Sequence, residues 1–271
     1  MPQFAIRDFD DAYANAPNIP DGETYPQRWK EAASDFRERQ GGPSRLRYGA
    51  DGRETLDLFL PRGRPAGLFV FIHGGYWMRF DPSYWSHLAG AALARGFAAA
   101  LPQYPLCPQA RIAAIARSAA AALARAAGEV AGDILLAGHS AGGHLAARLL
   151  CRDAPIAATL AARIRRTVSI SGVHDLRPLL ATAMNATLRL DEAEARAESP
   201  ALLEPRPGVH LVCWAGQGER AEFLRQNALL ANIWRGLGAV TGAVEEPDRH
   251  HFNVIDGLAD PDSPLARTLF G

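Results

Sequence analysis

Apolar runs recur along this chain at Leu68–Ile72, Phe97–Leu101, Ile134–Ala137, Thr167–Ile170 and Val209–Trp214. Short runs of this kind suit strands buried on both faces. Between them, Trp85–Arg95, Arg111–Ala127, His144–Cys151 and Ala221–Leu237 carry helical spacing. Strand and helix in alternation predict a mostly parallel sheet with helices on both faces. Ahead of the first run, Arg45–Tyr48 and Glu54–Leu60 flank Asp51-Gly52, the second segment alternating Leu56, Leu58 and Leu60. They read as a hairpin of half-exposed strands at an antiparallel edge. With Ala239–Glu245 as the last strand, the α/β sheet has about eight strands.

Two stretches lie outside that alternation. Residues 1–40 are polar and interrupted by proline, with one helix predicted over Gln27–Arg39 that stops at Gly41-Gly42-Pro43. Residues 174–207 show no strand, only a Pro- and Glu-rich loop around a short helix, and form a candidate cap above the sheet. The 271 residues are expected to form one α/β domain, with residues 1–40 an N-terminal extension that could cover the site.

Composition narrows the partners. The chain balances 29 basic against 29 acidic residues, so it lacks the field that nucleic acid or an acidic membrane surface requires. A small-molecule substrate fits better, and a homodimer is left open. The first ten residues carry Asp8 and Asp10 where a signal peptide would be apolar, and the alanine-rich Ile112–Ala127 is interrupted by Arg117 and Arg125. Cys107, Cys151 and Cys213 are odd in number and far apart, which predicts neither a disulfide framework nor structural zinc. A reducing, cytoplasmic setting is the expectation.

The chemistry starts at Gly138-His139-Ser140-Ala141-Gly142, between an apolar run and a helical segment. A strand, a sharp turn bearing a serine and a helix make a nucleophile elbow, whose small residues spare the strained apex from collisions. A serine hydroxyl is a poor nucleophile near neutral pH, so a base and an orienting carboxylate must follow. Glu219 is the first carboxylate after the Val209–Trp214 run; Glu222 falls in the next helix, and Asp248 lies past the next strand. The base is expected at His250 or His251, in the loop after the last strand, and spacing does not choose between them. Adjacent histidines also invite a metal, but no third ligand stands at zinc spacing.

An oxyanion needs N–H donors. One is the N–H of Ala141; the other is expected in His73-Gly74-Gly75-Tyr76-Trp77, after the third strand, from Gly75 or from Gly74 or Tyr76. The triad letters in Ser171-Gly172-Val173-His174-Asp175 are neighbours in a loop and cannot converge on one carbonyl. His87, His139, His144 and His210 are read as structural.

These motifs, together with Glu222-Phe223-Leu224-Arg225-Gln226 and His251-Phe252, resemble those of the α/β-hydrolase arylformamidases, or kynurenine formamidases, and the bacterial esterases near them. The likeness runs from about Arg45 to Leu258, and its Gly-Gly-Tyr-Trp ending is similar to the formamidase branch. It implies an α/β-hydrolase fold, Ser140 as nucleophile, Glu219 as acid and His251 as base. Eukaryotic members look to have aspartate where this chain has Glu219. The implied reaction is hydrolysis of N-formylkynurenine to kynurenine and formate, a step of tryptophan catabolism, with no metal or cofactor. Short acyl esters are the alternative substrates. Tyr76, Trp77 and Trp85 are candidates for an aromatic wall against the substrate ring.

Overall fold

The structure, a computed structural model, describes residues 6–271. Its eight strands are β1 (Ser44–Arg47), β2 (Thr55–Phe59), β3 (Gly67–Ile72), β4 (Ala98–Pro102), β5 (Asp133–His139), β6 (Ile164–Ile170), β7 (His210–Gly216) and β8 (Val240–Glu246). They form one sheet in the order β1-β2-β4-β3-β5-β6-β7-β8. The pairs β1/β2 and β2/β4 are antiparallel and the rest parallel, as the run pattern predicts.

The helices are α1 (Phe9–Tyr13), α2 (Tyr25–Gln40), α3 (Gly90–Ala94), α4 (Ile112–Glu129), α5 (Ala141–Arg148), α6 (Ala158–Ala161), α7 (Asn185–Leu188), α8 (Glu192–Ala197), α9 (Ala221–Gly236) and α10 (Pro264–Phe270). Successive strand side chains point to opposite faces, and the buried runs show why they had to be apolar throughout. Leu68, Val70 and Ile72 join the core under α4 and α5, while Phe69 and Phe71 join the one under α2, α3 and α10. On β7, Leu211 and Cys213 pack with Trp234 of α9, and Val212 and Trp214 face the other way. Truncating a buried side chain such as Phe69 to alanine would cost about 3–5 kcal/mol.

Three expectations change in detail. The hairpin is not evenly half-exposed: β1 is the open edge, but β2 is mostly buried because β4 covers its other side. Trp85–Arg95 divides into a 3-10 turn over Ser86–Ala89 and the short α3. The segment 174–207 holds two short α-helices, α7 and α8, besides 3-10 turns. Its Leu176, Leu179, Leu188 and Ala195 enter the same core as α4, so the apolar side chains tie it to the sheet's helical layer.

Cys107, Cys151 and Cys213 are free and buried. Burial pushes their thiols up to about 11, 12 and 12 respectively. Among the described residues, no helix is long and apolar enough to cross a membrane.

Candidate active site

β5 ends at His139 and α5 begins at Ala141, which leaves Ser140 alone on the turn with φ 54° and ψ −117°. That conformation is costly for a residue with a side chain and persists only where its neighbours enforce it. Here the Ser140 N–H donates to the Ile170 carbonyl at 2.8 Å and the Ser140 carbonyl accepts from the His144 N–H at 3.0 Å. The flanking glycines are steric necessities: a Cβ at Gly138 would stand 2.0 Å from the Gly142 carbonyl oxygen, and one at Gly142 would stand 1.9 Å from that of Ile72. The first N–H groups of α5, Ala141's included, have no partner within the helix. They are donors for an anion beside Ser140.

The loop after β3 runs against this elbow, so close that a Cβ on Gly74 would lie 3.1 Å from that of Ser140. Gly75, Tyr76 and Trp77 all take positive φ, at 110°, 51° and 56°. His73 Nδ1–H donates to the Gly74 carbonyl at 2.8 Å, and the Gly75 carbonyl accepts from the N–H groups of Met78 and Arg79 at 2.9 and 3.1 Å. A planar trans peptide points its N–H opposite its carbonyl, so these bonds also aim the N–H groups of Gly75 and Tyr76. His73 is stacked on Tyr104 with centroids 4.3 Å apart, and burial lowers its pKa to about 4. It is a neutral donor at neutral pH.

The loops bearing Glu219 and His250-His251 extend β7 and β8, and the Gly218 N–H bonds the Arg249 carbonyl at 2.9 Å to tie them together. Glu219 is buried; its Oε1 accepts from the Gly216 N–H at 2.8 Å and from the Ser171 hydroxyl at 2.5 Å. Its Oε2 lies 2.6 Å from His251 Nδ1. That contact holds Nδ1 as the donor and leaves Nε2, across the ring, as the nitrogen able to accept a proton. The same geometry separates the two histidines: His250 is 3.1 Å from the Tyr25 hydroxyl, and its Nδ1 accepts from the Phe252 N–H. His250 is only partly buried and serves the turn.

Ser140, His139, His251, Gly74, Gly75 and Tyr76 line one cavity of about 430 Å³. Its further walls are largely apolar: Met78, Phe80, Trp85 and Phe252 from the body, Met184 from the 174–207 segment, and Tyr13, Pro17 and Trp29 from the N-terminal segment. Of the expected aromatic wall, Tyr76 and Trp85 are there. Trp77 is not; it is fully buried, its ring edge-on to His144 at 5.1 Å, because the left-handed turn at Tyr76 and Trp77 sends the indole into the core.

Three residues escape a reading by motif. Ser171 sits in the loop after β6, as expected, but its hydroxyl reaches Glu219; its place at the carboxyl end of a parallel strand is the signal that could have found it. His139 Nε2–H donates to the His251 carbonyl at 2.8 Å, with the rings 4.7 Å apart. Burial first, then repulsion from a charged His251, lowers its pKa well below the usual histidine value, so it stays neutral beside His251. Tyr13 donates to Glu222 at 2.8 Å and packs edge-on against Phe223, whose ring lies 4.4 Å from that of His251. Two further histidines hold the frame: His144 bonds the Glu198 carbonyl at 2.6 Å and His174 sits 3.3 Å from Ser169 Oγ. Among the described residues, no three His, Cys, Asp or Glu side chains are grouped to hold a metal.

Residues 69–269 match the alpha/beta hydrolase family. The chain is 29% identical to the kynurenine formamidase of Drosophila melanogaster over 93% of its length and 89% of that protein's, and 27% identical to that of Salmo salar over 82% and 79%. Among solved structures, a protein from a Silicibacter species provisionally described as a thioesterase is 46% identical, with a TM-score of 0.92 over 97% of this chain and 99% of that one. An esterase from Pyrobaculum calidifontis, 18% identical with a TM-score of 0.68 over 93% and 90%, shares the fold.

Proposed function

The chain belongs to the alpha/beta hydrolase family and is a hydrolase of formamidase or esterase type, and from that premise we propose that it cleaves an aryl formamide of the N-formylkynurenine kind. One observation carries the site assignment: Glu219 is bonded to His251 at 2.6 Å while His251, Ser140 and the Gly74-Gly75 loop line one cavity. The substrate class draws support from the likeness to kynurenine formamidases over most of the chain, and from an aromatic and thioether-rich wall suited to an aryl group.

In this mechanism His251 Nε2 takes the Ser140 proton as Oγ bonds to the formyl carbon. Negative charge collects on the former carbonyl oxygen, where the N–H groups of Ala141 and Gly75, with Gly74 or Tyr76 as alternates, receive it. Glu219 stabilises the imidazolium, and Ser171 and the Gly216 N–H keep the carboxylate aimed. His251 then passes its proton to the departing aryl nitrogen as the C–N bond breaks, leaving a formyl ester on Ser140. Water, deprotonated by the same imidazole, attacks that ester; formate leaves and the serine regains its proton.

Esterase activity is the second reading, favoured by the bacterial protein 46% identical to this chain that is provisionally described as a thioesterase. The same donors and triad serve an activated ester. Comparing kcat/KM on N-formylkynurenine, p-nitrophenyl acetate and an acetyl thioester decides between them: negligible formamide turnover beside brisk ester cleavage ends the first reading. For either one, Ser140→Ala is expected to abolish turnover and labelling by a fluorophosphonate.

A further inference from the structure

We infer that the N-terminal segment at Tyr13–Asn15 is a positioning clamp for the oxyanion loop, acting through the Tyr76 hydroxyl. The inference rests on the serine-hydrolase reading above. Tyr76 stands in the middle of three consecutive residues with positive φ, and unlike Gly75 it has a side chain that disfavours that backbone. Something outside the loop must hold it. Its hydroxyl donates to the Tyr13 carbonyl at 2.5 Å and accepts from Asn15 Nδ2 at 3.0 Å, so the phenol is tethered in both directions.

The anchor is itself fixed. Asn15 is buried, and the Tyr13 hydroxyl is held by Glu222 at 2.8 Å and Gln226 at 3.2 Å, both on α9. Nearby, Arg220 pairs with Asp11. The segment thus bridges from the oxyanion loop to the start of the helix that follows Glu219, the two parts whose spacing decides whether donors and base act on the same carbonyl. Burial and the negative charge of Glu219 raise the Tyr76 pKa, so its hydroxyl keeps its donor proton throughout the neutral range. The tether does not vary with working pH.

A clamp and a substrate contact make opposite demands on the kinetics. Tyr76→Phe keeps the ring that lines the cavity and removes only the tether. A clamp predicts that kcat falls about tenfold or more with KM nearly constant, by the same factor on N-formylkynurenine and on p-nitrophenyl acetate, because loop placement alone is lost. An arylboronic acid, which mimics the tetrahedral oxyanion, weakens in step with kcat. Asn15→Ala gives a smaller loss in the wild type and none beyond it in the Tyr76→Phe background. A rise in KM at constant kcat, a loss that depends on the substrate, no change in either constant, or additive effects of the two substitutions would each overturn the clamp. If Tyr76→Phe shows no cooperative melting, Asn15→Ala with the boronic acid decides alone. Ser140→Ala keeps the two claims apart: activity in that variant sinks the hydrolase reading, whereas an inactive Ser140→Ala beside an unaffected Tyr76→Phe sinks only the clamp.

Discussion

Glu219 and Glu222 stand three residues apart and are both buried, yet the loop after β7 and the first turn of α9 set their carboxylates among opposite kinds of partner. Glu222 is matched by a permanent cation: Arg225 bonds both its oxygens at 2.7 Å, with Tyr13 and Gln226 filling in. Glu219 has neutral donors, Ser171 and the Gly216 N–H, and a histidine. A carboxylate already neutralised by a guanidinium gains little when an imidazolium forms nearby; one held only by dipoles gains a great deal. Among the described residues Glu219 has no arginine or lysine counter-ion, and this, rather than burial, suits it to the proposed role of triad acid.

Four substitutions or titrations press on that contrast. The deepest effect is expected from Glu219→Gln, which keeps shape but removes the charge that stabilises the imidazolium and fixes its tautomer. Steady-state kinetics should show kcat lower by about a thousand- to ten-thousand-fold with the melting transition retained. A loss under tenfold would place the acid elsewhere. Glu222→Gln should reverse the pattern, costing about 1–3 kcal/mol in urea unfolding while lowering kcat far less than Glu219→Gln does. Equal kcat losses in the two variants would erase the distinction.

Ser171→Ala comes next. One hydrogen bond to a charged group is lost, which corresponds to a drop in kcat of about tenfold, and the loss should vanish in the Glu219→Gln background if Ser171 acts through that carboxylate. The smallest effect belongs to histidines that lack a carboxylate partner. His73 is held neutral in the fold with a pKa of about 4, lowered by burial. Above the unfolded value, near 6.5, both states are neutral and its contribution to stability is complete. As pH falls from there toward 4, only the unfolded chain takes up the proton, so stability declines. Between pH 7 and pH 6 the loss is less than about 1 kcal/mol for this histidine. Urea unfolding of wild type and His73→Gln across that range should show a shallower slope in the variant; parallel slopes would count against a neutral, buried His73.

The contrast between the two glutamates also locates what a sequence can disclose. Much that is set by neighbours along the chain is legible: the apolar runs form buried strands, Gly138 and Gly142 make room for the turn at Ser140, and Gly74-Gly75 precede the loop that meets it. Position after β7 points to Glu219, which lies beside His251, while preferring His251 to His250 rests on the family likeness; the Glu219–His251 contact supports the same preference. Hidden from the sequence were relations between side chains far apart in it. Ser171 reaches Glu219 across 48 positions, and Asn15 reaches Tyr76 across 61. Nor does a hydropathy pattern reveal the hand of a backbone turn, which is why Trp77 was expected at the cavity and lies in the core.

The buried cysteines have a practical consequence for reagent chemistry. With three thiols sequestered and held protonated at neutral pH, and Lys30 the only lysine, the folded protein offers electrophiles few of their usual targets. Acylating and phosphonylating probes should therefore meet little background, and whole-protein mass spectrometry can count adducts on an activated hydroxyl without first blocking cysteine.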